Sequence, residues 1–409
     1  MISQSGGRGL EPLPGVVRLE ESVGGTMSRP DDDSSPSSRE AAFTRRSLLI
    51  GAATTVVGVA IGCRRGAPPR RKGTIVGPGR FVNTDTGKMS FVLCLFDLDG
   101  PGSRSIDMDF FGHGLALDPR APGRAVMFEK KGPGCCELDL RAGSVLRPIS
   151  TPKERAFYGH GAFSRDGAVL FATENNLDTK DGLICVRDAR TFRELGQFPT
   201  YGKSPHDCHL IDEGRTLAIT NGGSAVGEKE GAPSVTFVDA RSEKLLEKLE
   251  FRSPRINAGH LAITKKRDLV TISAPRDGLP KTEKGGVTLR VGNGPFVTMS
   301  EPAEVVERMI GESLSLCVDE PSQVVGVTNP DGNVVTFWDL ARQRFVKRLE
   351  LPAPRGLTKT LDEEYLVLSY GAGTLTLVEP STLEPVSHRR VDKSTLSGSH
   401  IFNWDPEAA

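Results

Sequence analysis

The chain has 409 residues, and its 52 basic and 52 acidic side chains cancel, so its net charge gives no electrostatic basis for binding nucleic acid. Its 46 glycines, 28 prolines and 6% aromatic residues are typical of short strands joined by tight turns and argue against long helices. A chain of this length usually forms two or three domains, but the repeats described below predict one large domain.

The N-terminal segment, residues 1–62, is predicted to be an export signal preceded by a disordered extension. Arg45 and Arg46 stand just before an apolar run over residues 48–62. This run is shorter than the roughly 20 residues of a transmembrane helix and has the length of a signal-peptide apolar region. Paired arginines before such a run are typical of twin-arginine export and predict a periplasmic or cell-envelope location. The alternative is a short buried helix after two incidental arginines.

The apolar run ends at Cys63, which indicates a processing site. Residues 59–63, Val-Ala-Ile-Gly-Cys, resemble the cleavage box of bacterial lipoproteins, although Ala60 stands where leucine is usual. Lipidation of Cys63 and simple cleavage both stay open, and a lipid anchor is the one membrane attachment that we expect. Residues 63–72 are basic and contain two prolines, which predicts a linker, and residues 73–409 are left for the folded domain.

A repeated pattern of two apolar strands separated by a polar turn organises the folded domain. Its clearest copy is residues 157–175, FYGHGAFSRDGAVLFATEN, in which an Asp-Gly turn divides the two strands. Copies start at residues 113, 160, 206, 260, 313, 356 and 400, at intervals of 43 to 54 residues. Such a period is that of a four-stranded propeller blade, so the sequence predicts an all-β, seven-bladed β-propeller with WD40-like or YVTN-like repeats.

The two ends of the domain complement each other. Residues 73–110 contain three strand sequences without an inner strand, whereas residues 399–404, SHIFNW, supply an inner strand alone. We therefore expect the N- and C-terminal strands to share one blade, which closes the ring and leaves no exposed edge. One short helix is expected within residues 300–310.

Histidine stands at the same repeat position in five copies, at the start of the inner strand, which borders the central channel. A channel mouth lined by neutral imidazoles is a plausible site for copper, iron or zinc, with Glu174 or Asp207 orienting the rings. Two alternatives stay open: hydrogen bonds that tie neighbouring blades together, and binding of an organic ligand. The candidate metal ligands are His113, His160, His206, His260 and His400.

The segment PHDCH, residues 205–209, concentrates four side chains with metal-binding atoms. In a regular strand, His206 and Cys208 lie on one face and Asp207 and His209 on the other. We therefore expect at most two of the four to reach one metal directly.

The order of these motifs resembles a known family. The motifs are GHG around His113, FYGHGAFSRDGAVLFATEN, PHD at residues 205–207 and GHLAI at 259–263. They are similar to a family of twin-arginine-exported bacterial propeller proteins described as domain of unknown function fifteen-thirteen, over roughly residues 73–405. The resemblance implies a quinoprotein-like propeller in the cell envelope and, as a partner, an iron-uptake component, because the family is often encoded beside imelysin-type proteins. The chain departs from the family at Asp207, where glutamate is usual, and at residues 129–131, Glu-Lys-Lys, where arginines are usual.

Three classes of function stay open at this stage. They are a metal-binding envelope propeller, a scaffold that binds an envelope protein partner, and an enzyme of the quinoprotein or lactonase type. The sequence contains no CxxC, HExxH, GxSxG or GxxxxGK motif and no nucleophile with an adjacent base, so no catalytic residue is assigned. The enzyme is therefore the least supported of the three.

The export signal generates the first testable prediction. Replacing both Arg45 and Arg46 by lysine should leave the folded protein in the cytoplasm, because the pathway reads the paired guanidinium groups. Cell fractionation followed by immunoblotting measures this, with the exchange of Arg64 for lysine as a control outside the pair. Undiminished appearance of the double variant in the envelope fraction would contradict the assignment.

Overall fold

The computed structural model describes residues 70–390 and 396–408, which belong to one compact unit. These residues form 28 β-strands, one α-helix, Ala303–Val306, and one 3-10 turn, Asp212–Gly214. The helix lies within the segment in which one was expected. The predicted export signal at Arg45 and Arg46 and the processing site at Cys63 lie outside the described residues. In the described ranges, no helix is long and apolar enough to span a membrane.

The strands follow one another in short antiparallel runs. The first eleven are β1 Thr74–Val82, β2 Met89–Asp97, β3 Ser103–Met108, β4 Gly112–Leu117, β5 Arg124–Gly132, β6 Cys135–Asp139, β7 Ser144–Pro148, β8 Arg155–Phe163, β9 Val169–Asn176, β10 Asp181–Asp188 and β11 Glu194–Lys203. The next eight are β12 Pro205–Ile211, β13 Thr216–Asn221, β14 Ser234–Asp239, β15 Leu245–Glu250, β16 Leu261–Ile263, β17 Leu269–Ser273, β18 Gly286–Arg290 and β19 Val297–Thr298. The last nine are β20 Ser315–Asp319, β21 Val324–Asn329, β22 Val334–Asp339, β23 Arg344–Glu350, β24 Leu357–Lys359, β25 Leu366–Tyr370, β26 Thr374–Glu379, β27 Glu384–Arg390 and β28 Phe402–Trp404.

Hydrogen bonds join these strands into the sheets of an all-β propeller. Five sheets have four strands each: β28-β1-β2-β3, β12 to β15, β16 to β19, β20 to β23 and β24 to β27. The C-terminal β28 pairs with β1 through Thr74↔Trp404, Ile75↔Asn403 and Val76↔Phe402, and is the first strand of its sheet.

The expectation of seven separate blades is not what the structure shows. Five four-stranded sheets stand alone, and β4 to β11 form one eight-stranded sheet. The join arises because β5 continues past its pairing with β6, so that Lys130 pairs with Tyr158 and Gly132 pairs with Phe157 of β8. The extension of β5, at the end of the blade near the histidines, therefore joins two repeats.

Aspartates at the end of the third strand of a run form the following turn. The Asp139 carboxylate accepts hydrogen bonds from the backbone N–H groups of Arg141 and Ala142, at 2.9 and 2.8 Å. Asp239 makes the equivalent turn with Arg241 and Ser242, at 3.1 and 2.6 Å. Aspartate is favoured at such turns because its side chain replaces a backbone acceptor.

Apolar residues fill the spaces between neighbouring sheets. Between the β1–β3 sheet and the next run, Leu93 and Ile106 pack in one cluster with Met127 and Leu138, all at most 3% exposed. Every strand run places one face against such a cluster. This packing positions the first strands of the runs, and five of these strands have a histidine within them or just before them.

Removal of β28 tests the role of the C-terminal strand. Deleting residues 399–409 should cause aggregation, because β1 is left with an unpaired edge and the buried side chains of Ile401 and Trp404 are lost. The loss of one buried Trp side chain alone typically costs about 3–5 kcal/mol. Light scattering and urea unfolding measure the effect, and deletion of residues 405–409, which spares β28, is the control. Equal unfolding midpoints for the two truncated proteins would contradict the prediction.

Candidate metal centre

Five imidazole rings meet where the first strands of five runs converge. His113 lies in β4, His160 in β8 and His206 in β12, while His260 and His400 lie just before β16 and β28. They are 4–9% exposed. Ring centroids are 4.0 Å apart for the His260–His400 pair and 5.7 Å apart for the His113–His260 pair. The structure thus brings together all five histidines that the repeat singled out.

Glycines beside the histidines permit this close approach. Gly159 has φ +117°, and a Cβ atom there would lie 2.6 Å from Cδ2 of His113. A Cβ atom at Gly114 would lie 2.2 Å from the carbonyl oxygen of Gly159 and 2.6 Å from Nδ1 of His160. The Gly-His-Gly motifs therefore let neighbouring strands carry rings into one small space.

The ring nitrogens approach one another at the centre. Nε2 of His206 lies 2.8 Å from Nε2 of His260 and 3.5 Å from Nε2 of His113. Nε2 of His160 and Nε2 of His400 are buried and have no hydrogen-bond partner within residues 70–390 and 396–408. One ligand atom from each of His113, His160, His260 and His400 lies within 4.8 Å of the other three.

Asp207 orients two of these rings. Its carboxylate oxygens lie 3.4 Å from Nδ1 of His160 and 3.4 Å from Nδ1 of His260. The backbone N–H of Leu261 also donates to it, at 3.3 Å, and Nε2 of His209 lies 3.3 Å away. A ring that donates from Nδ1 keeps the Nε2 lone pair free, so these contacts leave Nε2 of His160 and of His260 available as ligand atoms.

A β-bulge directs two consecutive side chains to the cluster. The register of β12 against β13 shifts between Pro205 and Cys208, so the alternation of sides is broken there. His206 and Asp207 consequently both contact the central rings, contrary to the expectation from a regular strand. Asp207 and His209 nevertheless share a side, as expected, with Nε2 of His209 3.3 Å from the Asp207 carboxylate.

Glu174, the other carboxylate that we expected to orient the histidines, is used elsewhere. Its fully buried side chain accepts hydrogen bonds from Arg187 and Thr151, both at 2.7 Å, and lies 3.3 Å from Nε of Arg155. Glu174 does not reach the histidines because Arg155 in β8 and Arg187 in β10 bind its carboxylate. Glu174 therefore ties strands together, and Asp207 is the predicted carboxylate that contacts the cluster.

The sequence did not point to most of the residues that line a cavity beside His206. A cavity of about 190 Å³ is bounded by His206 on one side and by Lys130, Lys131, Tyr158 and Glu312 among others. Lys130 Nζ lies 3.4 Å from a carboxylate oxygen of Glu312. The one feature of the sequence that pointed to this cavity was the pair Lys130-Lys131, which was noted only as a departure from the family pattern.

Burial keeps most of the cluster uncharged. It lowers the pKa of His113, His206 and His400 well below the usual 6.5, and the positive charge of Lys130 acts in the same direction. Burial also lowers the pKa of His160 to about 3, although Asp207 opposes it. For Asp207, burial raises the pKa, but contacts with His209 and His160 outweigh it and hold the pKa well below its usual range. The site therefore presents neutral imidazoles beside one carboxylate.

These pKa shifts predict how stability depends on pH. Below about pH 6.5 the histidines of the unfolded chain bind protons, whereas the buried rings of the folded protein do not. The free energy of unfolding should therefore fall as the pH is lowered towards 5. Each such histidine contributes up to about 1.4 kcal/mol per pH unit. His209, whose pKa is raised by the charge of Asp207 and the contact with it, has the opposite sign but is one group against four.

Urea unfolding of metal-free protein at several pH values measures this slope. Replacing His160 by glutamine should reduce the slope by up to about 1.4 kcal/mol per pH unit. The same replacement at exposed His388 is the matched control. A free energy of unfolding that does not change between pH 6.5 and 5 would contradict neutral burial.

Comparison with known proteins gives a family and a fold. The family model described as "Protein of unknown function (DUF1513)" matches residues 107–401. Among solved structures, the chain is similar to Kuenenia stuttgartiensis hydrazine synthase, with a TM-score of 0.55 and 12% identity over 80% of this chain and 99% of that chain. At this identity the likeness shows the fold alone. No curated protein matches the sequence.

Proposed function

The chain belongs to the family described as protein of unknown function DUF1513, and we propose that this member binds one transition-metal ion at its histidine cluster. The family match confirms the resemblance seen in the motif order. One observation carries the proposal: Nε2 of His160 and Nε2 of His400 are buried without a partner in the described part of the chain. Both rings belong to a group of four whose ligand atoms lie within 4.8 Å of one another.

The spacing of these atoms suits one ion after a small contraction. Metal–nitrogen bonds of about 2.0–2.1 Å place two ligand nitrogens at most about 4 Å apart. The observed limit of 4.8 Å therefore requires ring shifts of a few tenths of an ångström. The rings of His113, His260 and His400 already contact one another, with centroids 4.7 Å apart for His113–His400 and 4.0 Å apart for His260–His400.

The donor set favours particular metals. Neutral imidazoles suit copper, zinc and iron, and a carboxylate that accepts the second ring N–H raises the basicity of the ligand. Asp207 occupies that position for His160 and His260. We therefore propose copper, iron or zinc as the ion and Asp207 as the residue that holds the ligands in place.

A purely structural role for the histidines is the second candidate, and one contact favours it. Nε2 of His206 and Nε2 of His260 lie at a hydrogen-bonding distance of 2.8 Å, which ties two strand runs together. Such a role does not account for His160 and His400, because an unsatisfied buried polar atom costs about 1–3 kcal/mol. Metal binding accounts for both nitrogens.

We further propose that the propeller has seven blades and a closed ring. The eight-stranded sheet consists of two runs of four strands that only the β5–β8 pairing joins. The pairing of β28 with β1 and the contacts of β24 with β28 support closure. The twin-arginine sequence at Arg45 and Arg46 supports an envelope location, and the family resemblance supports an iron-uptake component as partner.

Ligand replacement tests the metal site. The double replacement of His160 and His206 by alanine should abolish stoichiometric metal binding. It removes His160, one of the four grouped ligands, and the adjacent ring of His206. Asp207→Asn should weaken binding about 10- to 100-fold, since it disturbs only ring orientation. Titration calorimetry with Cu²⁺ and Zn²⁺, together with elemental analysis of protein from its native envelope, measures both effects.

The control for this experiment is His388→Ala, at an exposed ring that hydrogen-bonds Tyr370. Circular dichroism establishes that each variant is folded. A wild-type protein that binds neither copper, zinc nor iron, together with a double variant that fails to fold, would show that the histidines are structural.

A further inference from the structure

The charge balance of the proposed metal site is incomplete. Imidazole ligands bring no charge to a bound metal ion, and Asp207 is the carboxylate that contacts His160 and His260 within the described ranges. A divalent ion among these rings would therefore retain positive charge in a buried place, which is unfavourable unless an anion compensates it.

One side of the cluster is left for a further ligand. The four histidines with the most compact ligand atoms are His113, His160, His260 and His400. The fifth, His206, contacts His260 and lines a cavity of about 190 Å³. A ligand in this cavity would therefore lie on the His206 side of the ion.

The cavity has the size of a small molecule. At about 30 Å³ per water molecule, its volume holds about six waters. Bicarbonate, acetate and phosphate have this size, whereas a siderophore or a peptide side chain with its backbone is too large. The volume thus limits the ligand to one with a few non-hydrogen atoms.

Two lysines, Lys130 and Lys131, and two carboxylates, Asp277 and Glu312, line the cavity, so its own charges balance and the excess positive charge is that of a bound ion. Nζ of Lys131 lies 5.5 Å from the centre of the Tyr158 ring. An ammonium group beside a cation site weakens metal binding when nothing lies between them, because like charges repel. An anion between the lysine and the ion reverses this effect, since both cations attract it. Glu312 holds Lys130 in the absence of such an anion, at 3.4 Å.

We propose that this cavity binds a small oxyanion of the carboxylate, carbonate or phosphate class, which shares the metal ion with the histidines and is held by Lys130 and Lys131. The inference rests on the proposed metal site. It assigns to that site a second ligand that enters from the cavity and completes the neutralisation of the buried charge.

Cobalt provides the test, because the visible spectrum of Co²⁺ reports its ligands. Metal-free protein is titrated with Co²⁺ in a buffer without bicarbonate or phosphate, and again after addition of bicarbonate, acetate or phosphate. We expect at least one of these anions to shift the spectrum and to raise the Co²⁺ affinity about tenfold or more.

Two variants of the cavity should change the anion effect in opposite directions. Lys130→Gln should abolish most of it while Co²⁺ still binds, because the metal ligands are untouched. Glu312→Gln should strengthen it, because Lys130 loses its competing partner. Lys153→Gln, at an exposed position away from the cavity, is the matched control and should resemble the wild type.

The possible failures are distinguishable. If Co²⁺ does not bind under any condition, the metal site itself is wrong. If Co²⁺ binds but none of the three anions changes its spectrum or affinity, the metal site stands and the anion site is overturned. If Lys130→Gln retains the full anion effect, the anion does not occupy this cavity, and the inference is likewise overturned.

Discussion

The burial of five imidazole rings in one small space is the constraint on which the centre of this propeller depends. Each ring has two nitrogens, and in a buried place each nitrogen needs a partner or a ligand. Glycine at 114 and 159 lets the strands approach closely enough for the rings to touch. The bulge in β12 then adds Asp207 to the same space. Backbone geometry and donor chemistry are therefore linked at this site.

Asp207 has the central place in the electrostatics of the cluster. Its buried carboxylate is stabilised by the N–H of Leu261 and by ring nitrogens of His160 and His260. On its other side it contacts His209, whose ring is 45% exposed. Asp207 thus joins the buried rings to a ring that reaches solvent, and it supplies negative charge where a cation would bind. No comparable role falls to Glu174, whose charge is already balanced by Arg155 and Arg187.

The sequence predicted the repeat, the all-β class and the meeting of the histidines, because all three follow from one period and one position within it. Position in a repeat determines depth along the channel, so five equivalent histidines must lie at one level. The join of β5 to β8 could not be predicted, since it depends on how far a strand continues past its neighbour. The side of the strand on which the Asp207 side chain lies could not be predicted either, because the shift of register at a bulge changes the side that a residue faces. The partners of Glu174 come from distant strands and leave no local pattern.

The hydrogen bond between His206 and His260 and the proposed metal site are compatible, although they compete for the same atoms. When Nδ1 of His260 donates to Asp207, its Nε2 can accept a hydrogen bond from Nε2 of His206. This bond satisfies two buried nitrogens and leaves Nε2 of His160 and Nε2 of His400 without a partner in the described part of the chain. In the proposed metal-bound state, an ion on the four grouped histidines would take the His260 lone pair and leave His206 without this partner. The open space beside His206 is the cavity that it lines. In that proposal, the ring that ties the strands would therefore be the one closest to a second ligand.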